Sequence, residues 1–379
     1  MLDLPVFLDA RNKLEAAAAN QAKTGQRFFL EVGIKRPHLV WRVPQGYVDK
    51  YYNPKNFTPA LPQQKVLDES ISPIAWVPFF TKDPYTPLSD NKTRELRRHY
   101  YSAITWADYC AGQVLGKLDE LGIDDNTIVI AHADVRVLAP RASETRIPDS
   151  RSPFSAPLAY ALGVPLPPLQ HGWHLGEYNM WEKRTVWELG TRVPFIVHVP
   201  WLTQSHGKRS AAPVELIDVF PTLSDLAGLA LPSDDAHPLE GVSLRPLLED
   251  PSLEVLPTRS FALSTYPRCP REGGPLWNDE CIHDVERSVF AYMAYSIRTV
   301  DYRYTEHVAW DGATLSPDWD NVQSRELYDH RQDIPGTAEW EAKDDFEDKN
   351  HVQSADPKLL ASLAAQLRAA FGKGGRPQV

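Results

Sequence analysis

From Lys92 to Leu121 the chain carries one long amphipathic pattern, and an apolar run, Thr127 to Asp134, follows almost at once. Leu96, Tyr100, Ala103, Ala107, Cys110, Val114 and Leu118 recur at spacings of three and four, which is one face of a helix. Gly122 supplies the stop. A long helix that feeds a β-branched strand narrows the fold to an α/β arrangement. Residues 8–22 read as a helix from their Ala, Leu and Glu content. Arg27–Gly33 and Val193–Pro200 read as buried strands, Val214–Leu226 as a helix, and residues 42–90 as a long ordered loop. Strands separated by helices predict an α/β fold with a mostly parallel sheet sandwiched by helices. After about residue 255 the character changes. Phe261–Thr265, Ala291–Val300 and Tyr302–Val308 read as antiparallel strands, with Asp301 as a turn residue, and Lys358–Phe371 as a closing helix. The expected organisation is an α/β domain over 1–255 and a small C-terminal antiparallel subdomain over 256–379, without internal repeats.

The net charge of -10 argues against nucleic acid as the main partner, because phosphate backbones want a basic face. A small anion is still compatible with a local Lys/His cluster. No stretch is long and apolar enough to span a membrane, and Met1–Pro5 lacks the basic region and apolar run of a signal peptide. Of the 3 Cys, Cys110 lies in the helical pattern and reads as core. Cys269 and Cys281 flank a Gly-, Pro- and charge-rich loop and are a candidate disulfide if the protein is secreted or lysosomal. The sequons at Asn56 and Asn91 are compatible with that route.

The run from His171 to Lys183 packs two His, two Glu and a Lys among Gly and Trp. In an open α/β sheet, ligands gather at the C-terminal ends of strands. Asp134 and His38 both lie at such ends. A rigidly held carboxylate at Asp134 suits a hard cation such as Ca²⁺ or Mg²⁺. His171 is a candidate second ligand, with a hydrogen bond to substrate as its other role. Lys183 is a point charge for a tetrahedral anion. His38 can do the same when protonated, or act as general acid to a leaving oxygen. Each residue also has a plainer reading: Asp134 as a turn or cap, His38 as a surface residue, and Trp173, Trp181 and Trp187 as core or lid packing.

Taken together, the stretches Phe28–His38, Tyr101–Asp108, Thr127–Asp134 joined to His171–Lys183, Arg192–Phe195, Glu215–Thr222, Tyr295–Tyr304 and Glu326–Asp329 resemble the sulfatase family of the alkaline-phosphatase-like superfamily, most closely its iduronate-2-sulfatase-like branch. They run in family order over most of the chain. The resemblance implies an alkaline-phosphatase-like fold and hydrolysis of sulfate monoesters on a sulfated small molecule or glycan. It implies Ca²⁺, with Mg²⁺ as the alternative, and a lysosomal or secreted location. It puts Asp134 and His171 on metal-ligand positions, and His38 and Lys183 on the catalytic positions that hold the sulfate. Tyr178 departs from the family pattern, where His is common after Gly-Glu, and bears on substrate preference rather than on the metal.

Two further departures matter more. The family's nucleophile is a formylglycine made from the Cys or Ser of a Cys-x-Pro-x-Arg motif. The nearest look-alike here, Cys269-Pro-Arg271, has the wrong spacing and region. The Asp pair that holds the metal after the family's first strand is also missing, and Asp124-Asp125 follows a helix. The chain is therefore expected to begin after that catalytic segment, and not to turn over sulfate esters as written. Second, Val135–Gln170 interrupts the family's Asp-His-Gly turn. The segment is Pro-, Ala- and Arg-rich without an apolar period. Val codons start with GT and Gln can be encoded by CAG, the boundaries of an intron read through in frame. A retained intron is the preferred reading over a surface loop, because long structureless loops are uncommon and this one would separate two metal ligands. Two other readings are a non-catalytic binding protein or gene-model fragment that keeps half the site, and a phosphoester hydrolase of the same superfamily.

Overall fold

The structure is a computed structural model. It describes residues 3–44, 46–48, 65–133, 173–232, 239–279, 281, 285–332 and 347–372. The chain divides into two compact units. One comprises Met1–Pro59, Ser89–Gly172 and Arg192–Lys208; the other comprises Ala60–Leu88, Trp173–Thr191 and Arg209–Val379.

The first unit is built on two helices, α1 (Asp3–Thr24) and α2 (Asp90–Leu121). Ser89 caps α2, its Oγ accepting the Lys92 N–H at 3.3 Å. Gly122 ends the helix in the left-handed conformation (φ 63°), as the stop signal predicts. Tyr100, Ala103, Cys110 and Leu118 of the predicted stripe are buried, and Leu96, Ala107 and Val114 are half-buried. Phe7 of α1 meets Trp106 and Tyr109 edge-on at 6.4 and 6.0 Å. Burying a side chain of that size is worth about 1.5–3 kcal/mol. Arg11 ties the same pair of helices through the Gln113 carbonyl (2.7 Å) and the Glu120 carboxylate (2.9 Å). Burial, reinforced by the Asp3 charge, pushes the Cys110 thiol up to about 12, so it is a neutral core group.

Strands β1 (Val129–His132) and β2 (Phe195–His198) complete the unit. They pair antiparallel, Val129 opposite His198 and His132 opposite Phe195. The mostly parallel sheet expected from the alternation of elements is thus not met among the described residues, where both sheets are antiparallel. Arg27–Gly33 is not a buried strand either. It has no ladder partner among the described residues, and Phe29 is 75% exposed. β-propensity holds a strand only where a neighbour completes its hydrogen bonds.

The second unit is a four-stranded antiparallel meander of β3 (Ala262–Arg268), β4 (Tyr292–Arg298), β5 (Tyr302–Asp311) and β6 (Ser316–Asp329). The turn at Asp301 is closed by Thr299, whose N–H donates to the Tyr302 carbonyl at 2.9 Å. A short helix, α3 (Val219–Leu226), precedes the sheet and starts later than the predicted Val214. A 3-10 turn fills the gap. There, buried Asp218 accepts the Glu215 and Val242 N–H groups (2.8 and 3.0 Å), and Glu215 in turn accepts the Leu263 N–H of β3 at 2.9 Å. One face of the sheet carries Tyr295, Ile297, Tyr304, Val308 and Leu327, and α4 (Pro357–Phe371) lays Leu363, Leu367 and Phe371 on it. The other face is polar near its centre. It is covered by residues 65–77 and 173–191, whose Leu67, Ile71, Trp76, Tyr178, Met180, Trp187 and Leu189 form a second buried cluster with Tyr328. The loop expected over 42–90 is ordered where described, and it supplies core.

Candidate active site

In the first unit, Asp3 organises the loop that carries His38. Its Oδ1 accepts the Lys35 N–H at 2.8 Å, and its Oδ2 lies 4.0 Å from buried Arg36, which donates to the Arg42 carbonyl at 3.0 Å. The His38 N–H closes the turn on the Lys35 carbonyl (2.9 Å). Its ring Nδ1 lies 2.8 Å from the Leu39 carbonyl. A carbonyl can only accept, so Nδ1 carries a proton, and Nε2 is the nitrogen that can exchange one. His38 is exposed. β1 ends at His132, and Ala133 N–H donates to the Pro194 carbonyl at 3.3 Å. Asp134 and His171, the predicted metal ligands, lie outside the described residues, as does the whole of Val135–Gln170.

In the second unit, the segment from Trp173 to Thr191 carries Lys183. It folds back on itself: His174 N–H donates to the Glu182 carbonyl and Gly176 N–H to the Met180 carbonyl, both at 2.9 Å. The bend between them needs positive φ at Gly176 (106°), Tyr178 (54°) and Asn179 (60°). Side chains with Cβ resist that conformation, so the surroundings must hold it. Asn179 Nδ2 donates to the Asp83 and Thr86 carbonyls at 2.6 and 2.9 Å, and Thr81 and Trp76 donate to the Asn179 and Tyr178 carbonyls at 2.7 and 3.0 Å. The Tyr178 ring packs edge-on against Trp187 at 5.4 Å. The three Trp of the motif are buried core, as their plain reading has it.

Lys183 is half-buried between Glu182 and Arg184, which pair with each other as an ion pair. Burial pushes the Glu182 carboxyl above the usual range despite Arg184. The segment is then fastened to the polar face of the sheet. Trp187 donates its indole N–H to Glu326 at 2.9 Å. Glu188 N–H donates to Glu347 at 2.6 Å, and the Glu188 carboxylate accepts from Arg303 (2.5 Å) and Arg298 (3.3 Å). His38 and Lys183 stand in different units.

Two described clusters have the composition of a metal site, and neither fits one. Glu188, His330 and Glu347 are gathered around Arg303, whose guanidinium already serves both carboxylates. Cys269 and Cys281 form the disulfide their spacing suggested, Cα atoms 5.1 Å apart. Asp279 accepts both of their N–H groups and pairs with Arg268.

The buried polar face was not anticipated. Arg303, Thr305 and His307 alternate along β5 with Tyr304, Glu306 and Val308, so a polar row faces one side and a mixed row the other. That alternation is visible in the sequence, but an alternating strand is ordinarily read as half-solvated.

A sequence model of the Sulfatase family matches residues 7–229, more than half of the chain. The iduronate 2-sulfatases of Mus musculus and Homo sapiens are each 29% identical to this chain over 351 residues; the alignments cover 79% of it and 55% and 56% of those proteins. The chain thus spans about half the length of the curated relatives it matches. Among solved structures, the phosphonate monoester hydrolase of Agrobacterium radiobacter superposes with a TM-score of 0.58 at 17% identity, over 93% of this chain and 58% of that one, a likeness of fold. The chain belongs to the sulfatase family.

Proposed function

We propose that this chain carries part of a sulfate monoester hydrolase site, of iduronate-2-sulfatase-like type, acting on a sulfated sugar. The observation that carries the reading is the extent of the family match, residues 7–229, a span within which the proposed site residues His38, Asp134, His171 and Lys183 fall. Lys183 neutralises a sulfate oxygen as a point charge. His38, with Nδ1 held by the Leu39 carbonyl, moves a proton through Nε2 to or from the leaving ester oxygen. Sulfatases generally use a metal ion and a formylglycine. From this chain the metal shell takes Asp134 and His171. One hard oxygen and one imidazole are only part of the six to eight oxygens that Ca²⁺ takes. The 379 residues contain no Cys-x-Pro-x-Arg, so no nucleophile is assigned among them.

The domain reading stays as proposed from the sequence: a partial sulfatase α/β domain over 1–255, Val135–Gln170 a retained intron, and a subdomain over 256–379. A secreted or lysosomal location is consistent with the disulfide. Sequencing of transcripts tests the intron directly: mature messages lacking the segment support it, and a dominant message carrying it contradicts it. The activity is tested on the longest product of the reading frame that includes these residues. Hydrolysis of a chromogenic aryl sulfate over an aryl phosphate is expected, with kcat/KM falling about a hundredfold or more in Lys183→Ala. A preference for the phosphate overturns the reading.

A further inference from the structure

The fastening of the Lys183 segment converges on a buried carboxylate that the proposed chemistry does not use. Glu326 accepts the Trp187 indole N–H at 2.9 Å and the Tyr328 hydroxyl at 3.1 Å, both on Oε2. Its Oε1 points at His307, 3.8 Å from Nδ1. Both residues are fully buried, and among the described residues neither Oε1 nor Nδ1 has a hydrogen-bond partner. At 3.8 Å the two atoms are too far apart for a direct hydrogen bond, so an ionised Oε1 stands buried with no donor among the described residues, whereas a protonated one carries no charge that needs compensation.

The surrounding charges point the same way. From the covering segment, Glu188 faces this layer. From β3 comes Arg268, paired with Asp279; from β4, Arg298; from β5, Arg303; and beyond β6, Glu347, with His330 at 3.0 Å. Among these described residues, three guanidinium groups stand against Glu188, Glu347 and Asp279. An ionised Glu326 makes no ion pair with any of the three: the one that reaches it electrostatically, Arg268, is already paired with Asp279, and Glu347 opposes it.

We infer that Glu326 is a positioning residue for Lys183: a proton on its buried carboxyl keeps this layer neutral while Oε2 holds the Trp187 indole, and with it the segment that presents Lys183. The inference rests on the reading of Lys183 as a sulfate-holding group. The proton sits on Glu326 Oε1, the oxygen that accepts from neither Trp187 nor Tyr328. Burial favours this arrangement, pushing Glu326 up to about 7 and His307 down to about 3. Its loss leaves an uncompensated buried charge beneath the segment, and local opening of residues 173–191 relieves that cost.

The test pairs hydrogen exchange of residues 173–191 with inorganic sulfate affinity, both followed from mildly acid to mildly alkaline pH. In the wild-type chain, exchange corrected for its intrinsic pH dependence should rise, and sulfate affinity fall, about fivefold or more as pH passes through neutrality. Glu326→Gln carries no charge and keeps an oxygen for Trp187 at every pH, so both steps should vanish. Trp187→Phe breaks the link without touching the carboxylate, and should give high exchange and weak sulfate binding throughout. Identical pH profiles in wild type and Glu326→Gln, or a wild type without the steps, overturn the inference. Sulfate binding untouched by Lys183→Ala overturns the functional reading and the inference with it. Sulfate binding lost in Lys183→Ala, with pH steps that persist in Glu326→Gln, overturns the inference alone.

Discussion

Asn179 shows how much local structure rests on one side chain. It sits at φ 60°, and its amide bridges two carbonyls of the 81–88 loop. Asn179→Ala loses both bonds and keeps a Cβ in a left-handed position. It should cost about 2–4 kcal/mol in denaturant unfolding, and Asn179→Gly should recover only the backbone part. Glu326 and His307 make a separate prediction for stability against pH. Glu326 is raised from 4.5 to about 7, so its contribution is full below 4.5 and is lost as pH rises through 7. His307 is lowered from 6.5 to about 3, so its contribution is full above 6.5 and is lost as pH falls through 3. The two slopes cancel between about 4.5 and 6.5, and thermal stability should show a plateau there. Glu326→Gln should remove the alkaline shoulder and leave the acid one. Neither residue is a site candidate in the sequence, where Glu326 enters only through the Glu326–Asp329 resemblance, because a Glu and a His in polar-looking strands are ordinarily solvated. Only the covering segment, far away along the chain, makes them buried.

At the level of elements, strong periodicity was legible and pairing was not. α2 carries its own cap, stripe and stop, and lies where the pattern puts it. Ser89→Ala should destabilise it by about 1 kcal/mol, measured by thermal melting. β4 and β5 were readable from their aromatic and β-branched content. β6 carries no strand signal, since Asp318, Asp320, Asn321 and Arg325 break the apolar pattern, and its Glu326–Asp329 enters only through the family resemblance. As the last strand in the sheet order it needs a partner on one side only, and its Leu327 and Tyr328 face opposite buried layers. Arg27–Gly33 is the converse case, with good β-composition and no strand pairing among the described residues. The Cys269–Cys281 pair could be named from spacing, and both should resist alkylation in folded, unreduced protein.

At the scale of the whole molecule, membership of the sulfatase family was legible because the motif stretches keep their order across most of the chain. The geometry of the site was less so. Lys183 lies on a segment whose placement depends on the C-terminal sheet, and His38 on a loop tied to α1. If Val135–Gln170 is a retained intron, the chain without it should be at least as stable as the full chain, measured by thermal melting. The most direct test of the account is a titration of the chain with inorganic sulfate, comparing wild type with Lys183→Ala and His38→Ala. The account expects saturable binding that weakens about tenfold in each variant. Binding that is absent in the wild type, or equal in all three, would contradict it.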